Sequence, residues 1–179
     1  VTISASVILT VDGGVASALL QGAGTVTGSG TLTISATADR DLNNGNFTVS
    51  NLTVASDSDD DDFTLLAGMT FTGTWTLEIQ NGSINIPAAT LDLVNLTIKS
   101  TAASSPNSEG LQVTAVGATI RVSGSWTQES GGLWNAGTDS TVEFDGTSAQ
   151  TVDQEGTTDN TDFENLKVSS AAGVTFLDN

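Results

Sequence analysis

The tetrapeptide Asn51-Leu52-Thr53-Val54 returns as Asn95-Leu96-Thr97-Ile98 and again as Asn165-Leu166-Lys167-Val168. Each copy is followed by small residues and then a Gly-led segment: Gly68-Met69-Thr70-Phe71, Gly117-Ala118-Thr119-Ile120 and Gly173-Val174-Thr175-Phe176. After the first two comes a Trp-bearing segment, Gly73-Thr74-Trp75-Thr76 and Gly124-Ser125-Trp126-Thr127. Near the start, Gly28-Ser29-Gly30-Thr31-Leu32-Thr33 takes the same slot without Trp. Apolar and polar residues alternate in these segments, which places one face inward and one outward on a strand. The tetrapeptides are 44 residues apart (51 to 95) and then 70 apart (95 to 165). Unequal spacing suits a solenoid, where extra coils enter without breaking the stack. The chain reads as a single domain with approximate repeats 1–54, 55–98, 99–168 and a partial 169–179.

Composition agrees. Thr, Ser, Gly, Ala, Val, Asn and Asp dominate, while Pro occurs twice and Tyr never. Thr and Val favour pleated strands; Gly, Asn and Asp favour turns. No stretch has a helical period, the nearest being the short Val15–Gln21 ending at Gly22. With neither Cys nor His, the chain has no disulfide, thiolate site or imidazole acid–base group. The formal net charge is −17, with Arg40, Lys99, Arg121 and Lys167 the four basic residues. Such a chain repels nucleic acid and anionic membranes, and its expected partners are cations. No apolar run approaches the roughly 20 residues of a membrane span.

The stretch Gly131-Gly132-Leu133-Trp134-Asn135-Ala136-Gly137-Thr138, then Thr141 to Val152, then Phe163-Glu164-Asn165-Leu166-Lys167-Val168, resembles a repeat of large secreted bacterial and archaeal surface proteins. Those repeats are read as right-handed parallel β-helices. The resemblance is close over the C-terminal part and loose elsewhere. It implies the fold and an extracellular, cell-surface location, and it brings no catalytic residues. The chain departs from the pattern in its acidity, with Glu143, Asp153, Glu155, Asp159 and Asp162. The acid excess fits a saline habitat. A β-sandwich whose terminal strand is exchanged with a neighbour is the alternative fold.

The last copy stops at Gly173-Val174-Thr175-Phe176-Leu177-Asp178-Asn179, and Val1-Thr2-Ile3-Ser4-Ala5-Ser6-Val7-Ile8-Leu9-Thr10 reads as its continuation. The expectation is one period of something longer: a processed piece that stacks head to tail, or one unit of a tandem array. Val1, Ile3, Val7, Val174, Phe176, Leu177 and Asn179 would form the junction. Uncapped edges that match generate a non-closing contact, hence a filament. At roughly 20–25 residues per coil and ~4.8 Å per coil, about eight coils would span near 40 Å.

Asn51, Asn95 and Asn165 are expected to form an internal Asn ladder, and Trp75 and Trp126 to stack in one row. Asn46, Asn51, Asn81 and Asn95 also head N-x-S/T sequons, the candidate glycan sites. Asp57, Asp59, Asp60, Asp61 and Asp62 are a candidate Ca²⁺ site, against the plainer reading of a solvated, self-repelling loop. No cofactor is required. Asp139, Glu143 and Asp145 form a looser acidic set. Trp75, Trp126 and Trp134 are read as structural, with a sugar-binding platform as the alternative. Lys99 and Lys167 are read as surface charges, with an isopeptide bond as the alternative. The functional expectation is a non-enzymatic extracellular filament subunit whose partner is itself. A stalk or adhesin segment is second. A polysaccharide-active β-helix enzyme is third, since Arg40 and Arg121 have no evident carboxylate set around them.

Overall fold

The computed structural model describes residues 2–5, 7–13, 20–36, 40–55, 62–65, 70–71, 75–81, 83–86, 90–98, 110–113, 116–129, 133–154 and 162–177. Among them the chain is all strand and turn. The strands are β1 (Thr2–Ile3), β2 (Ile8–Gly13), β3 (Leu20–Ala36), β4 (Arg40–Ala55), β5 (Asp62–Leu65) and β6 (Thr70–Phe71). They continue with β7 (Trp75–Asn81), β8 (Ser83–Ile86), β9 (Thr90–Ile98), β10 (Gly110–Val113), β11 (Thr119–Val122) and β12 (Trp126–Gln128). The last are β13 (Leu133–Asn135), β14 (Thr141–Phe144), β15 (Gln150–Gln154), β16 (Asn165–Val168) and β17 (Val174–Leu177). No helix of the described residues is long and apolar enough to cross a membrane.

Every strand pairing among the described residues is parallel. Parallel neighbours need a crossover between them, and here each crossover is a further strand of the coil. The protein is a parallel β-solenoid. The sandwich alternative is set aside, because it requires antiparallel pairs.

Three walls result. On the first, Leu9, Leu32, Leu52, Leu77, Leu96, Trp126, Val152 and Phe176 lie side by side on successive rungs. On the second, Leu93, Val122, Phe144 and Val168 align, with Leu91, Ile120, Val142 and Leu166 two residues earlier. On the third, Phe63, Ile84, Leu111 and Trp134 align. Alternation fixes the register of these rows, since a one-residue slip would send a buried row to solvent. Leu32, Leu52, Leu91, Leu93, Leu96, Ile120, Val122, Trp126, Trp134, Val142, Phe144 and Val152 are buried accordingly. Successive residues of the first row are offset by as few as 19 positions (Leu77 to Leu96) and as many as 30 (Leu96 to Trp126). The rows absorb loops of unequal length without losing register.

Corners are built for close approach. Gly28 has φ 135°, and a Cβ there would fall on the backbone of Ile3 in the neighbouring coil. That is a conformation glycine alone adopts freely. At Gly146 a Cβ would meet the carbonyl oxygen of Ser123.

Candidate functional site: a charge ladder, polar corners and an open end

The outward positions of the second wall carry alternating charge. Asp92 on β9 neighbours Arg121 on β11, Arg121 neighbours Glu143 on β14, and Glu143 neighbours Lys167 on β16. Arg121 Nη1 donates to Asp92 Oδ1 at 3.2 Å, and its Nε lies 3.5 Å from Glu143 Oε2. Lys167 Nζ sits 2.8 Å from Glu143 Oε1, which also accepts from Ser169 Oγ at 2.6 Å. Opposite charges on adjacent strands are favourable cross-strand pairs. Asp92 beside it holds the Arg121 guanidinium protonated, above its already high ordinary pKa, with Glu143 adding to the effect. Lys167, and after it Ser169, hold the Glu143 carboxyl below its ordinary value against the opposing pull of burial. Two of the chain's four basic residues are spent on this ladder.

Arg121 therefore does lie between carboxylates, contrary to the sequence expectation. The ladder became visible only once register set Asp92, Arg121, Glu143 and Lys167 side by side. Beside it is an open groove of about 390 Å³, lined by Asp92, Arg121, Ser123, Asp145, Gly146 and Thr147. Its guanidinium is already bound to two carboxylates, and Ser123 Oγ donates to the Leu93 carbonyl at 3.2 Å.

Side-chain amides hold the corners. Asn95 Oδ1 accepts from the Ser125 N–H at 2.8 Å, and Asn165 Nδ2 donates to the Ser140 carbonyl at 3.0 Å. Buried Gln150 donates through Nε2 to the carbonyls of Val122 (2.7 Å) and Gly124 (3.0 Å). Its Oε1 accepts from the Gly146 N–H at 2.8 Å. One side chain thus bonds three backbone groups at this corner, where the Val122 carbonyl also accepts from the Asp145 N–H at 3.2 Å. Nothing in the linear sequence marked Gln150, since its role appears only where two adjacent coils meet.

Inside, Trp126 and Trp134 meet edge to face with ring centres 5.1 Å apart, and Phe163 meets Trp126 at 5.2 Å. Phe144 closes the cluster, 6.5 Å from Trp126. Both Trp126 and Trp134 are buried, so neither belongs to a sugar platform.

Several expected alignments fall apart. Asn51 and Asn95 precede the first-wall residues Leu52 and Leu96, with Thr76 on the rung between, whereas Asn165 opens a second-wall strand. The three make no single ladder. Trp75 pairs with Leu93, whereas Trp126 pairs with Leu96 and Val152, so these two do not share a row. Asn46 and Asn81 fall within β4 and at the end of β7. Val1, Asn179, Lys99 and Asp57, Asp59, Asp60 and Asp61 lie outside the described residues, and Asp62 opens β5. Among the described residues no group of three or more acidic side chains could hold a metal ion. Asp139 sits in a turn at φ 57°.

The ends differ from the middle. Among the described residues, β16 pairs only with β14 and β17 only with β15, while β1 and β2 pair only with β3. The inward row positions Leu166, Val168 and Phe176 are therefore 44%, 49% and 48% exposed. Leu177 at that end, and Val7 and Ile8 at the other, are exposed too; Ile3 is buried against the next coil. No protein-family model matches this chain, and neither any curated protein nor any solved structure does.

Proposed function

We propose that this protein is a structural subunit of an extracellular filament, assembling head to tail through its solenoid ends. The observation that carries the reading is the exposed final rung. Leu166 and Val168 continue the buried rows Leu91-Ile120-Val142 and Leu93-Val122-Phe144, Phe176 continues the row in which Leu32, Leu52, Leu96, Trp126 and Val152 are buried, and among the described residues β16 and β17 each have one unpaired backbone edge. Apolar area of this kind is stabilised by cover, and a parallel edge is a template for another parallel strand. The opposite end presents β1 and β2 in the same wall order, with apolar Val7 and Ile8 exposed. The charge ladder and the amide corners are internally satisfied, which suits a stiff rod rather than a reaction centre. The acid excess keeps rods apart laterally by mutual repulsion and leaves association to the ends.

Electron microscopy of the purified protein tests this. Eight rungs at ~4.8 Å each give an expected axial repeat near 40 Å. Discrete monomers at high concentration would sink the reading and favour a stalk segment within a longer polypeptide. Intact mass separates assembled subunits from a tandem chain.

A further inference from the structure

The first wall is unusual in being continuous from one end to the other. Eight apolar residues, Leu9 through Phe176, stay in line although the chain between them varies in length. Its terminal strands β2 and β17 each use one edge, on β3 and β15, and have no second partner among the described residues. We propose that β17 of one copy pairs in parallel with β2 of the next in the same register, Thr175 beside Ile8 and Phe176 beside Leu9. This inference rests on the end-to-end assembly proposed above and gives it a definite contact.

The register follows from three constraints. A one-residue slip would place inward residues against outward ones. A two-residue slip would carry the next copy's β1 along the coil, out of line with β16, because β1 and β2 move as one body on β3. In-register pairing also sets exposed Ile8 beside Thr175, continuing the column that Thr31 and Thr151 occupy inside the rod, and sets exposed Val7 beside Val174. Tail-to-tail stacking of two Phe176 rungs would cover the same apolar surface, but it would reverse strand direction and stop at a dimer.

The absence of cysteine makes the contact directly testable. Parallel neighbours sit about 4.8 Å apart, within the ~4.4–6.8 Å reach of a disulfide, and diagonal positions at about 7–8 Å do not. The double variant Ile8→Cys/Thr175→Cys, both exposed positions, is oxidised after assembly and run on a non-reducing gel. The expected result is a ladder of covalent oligomers that collapses on reduction. The pair Ile8→Cys/Leu177→Cys, which reports a two-residue slip, should give at most about a tenth of that yield. A stronger ladder from the second pair overturns the register. Covalent dimers from Thr175→Cys alone overturn it in favour of tail-to-tail contact. Fibres in micrographs with no ladder from either pair overturn the register and leave end-to-end assembly standing. Absence of fibres from the unsubstituted protein removes the assembly and this contact with it. An unchanged far-UV spectrum under reductant shows that the variants fold.

Discussion

Replacing Trp126 by Ala separates a core role from a surface role. The indole is fully buried, between Leu96 and Val152 in its row, with the rings of Trp134, Phe163 and Phe144 around it. Truncating a buried Trp costs about 3–5 kcal/mol, from lost transfer energy plus the cavity left behind. Three edge contacts place this site in the upper half of that range, so about 4 kcal/mol is expected. A domain of ordinary stability has roughly 5–15 kcal/mol in total. With a urea slope of about 2 kcal/mol/M, the unfolding midpoint should fall by about 2 M. Trp126→Leu should lose only about half as much, because Leu already fills Leu32, Leu52 and Leu96 of the same row and retains part of the buried area. The assay is urea unfolding followed by far-UV circular dichroism. An exposed sugar-stacking Trp would change stability by no more than about 0.5 kcal/mol on truncation. A midpoint shift under about 0.3 M for the Ala variant would refute the packing argument.

Gln150→Ala removes a partner from the Gly146 N–H and the Gly124 carbonyl, while the Val122 carbonyl keeps the Asp145 N–H, and should cost about 2 kcal/mol, measured by urea denaturation. A cost below about 1 kcal/mol would mean that water replaces the amide without loss. Gly146→Ala drives a methyl onto the Ser123 carbonyl and should cost at least about 2 kcal/mol; a neutral melting temperature would show that this corner can move. Glu143 has a folded pKa below its ordinary value near 4.3, so the unfolded chain takes up the proton first. Its stabilisation is full above that ordinary value and drains as pH falls toward the lower folded pKa. The melting-temperature gap between the parent and Glu143→Gln should therefore be flat above about pH 5.5 and close below about pH 4. A gap that widens in acid would reverse the assignment. Lowering salt from about 1 M to about 0.01 M should lower the melting temperature by unscreening a net charge of −17; no change across that range would show that the acids do not repel appreciably.

Alternation and turn chemistry made the class legible. Segments such as Thr119-Ile120-Arg121-Val122 announce a strand with one apolar face, and that is what β11 is. The wall on which a strand falls was not legible. The Asn-Leu-x-Val/Ile tetrapeptide appears on the first wall at Leu52 and Leu96 and on the second at Leu166, because a period of two is the same on every wall. The expected Asn and Trp rows failed for that reason. Asp92, Arg121, Glu143 and Lys167 are 29, 22 and 24 residues apart, and only the coil lengths turn those offsets into contacts. The expected coil of about 20–25 residues averaged over offsets that range from 19 to 30.

Hydrogen bonds between parallel rungs point along the long axis of the molecule. Tension applied along that axis therefore does not shear the walls; it peels them, one rung at a time, from whichever end is held. A rung of about two dozen residues lengthens the tether by about 80 Å when it lets go. Because offsets along the first wall are unequal, with Leu77 to Leu96 the shortest and Leu96 to Trp126 the longest, the force–extension trace would carry steps of unequal length. Their order would read out the sequence of coils, and a rod built this way gives way gradually under load instead of snapping.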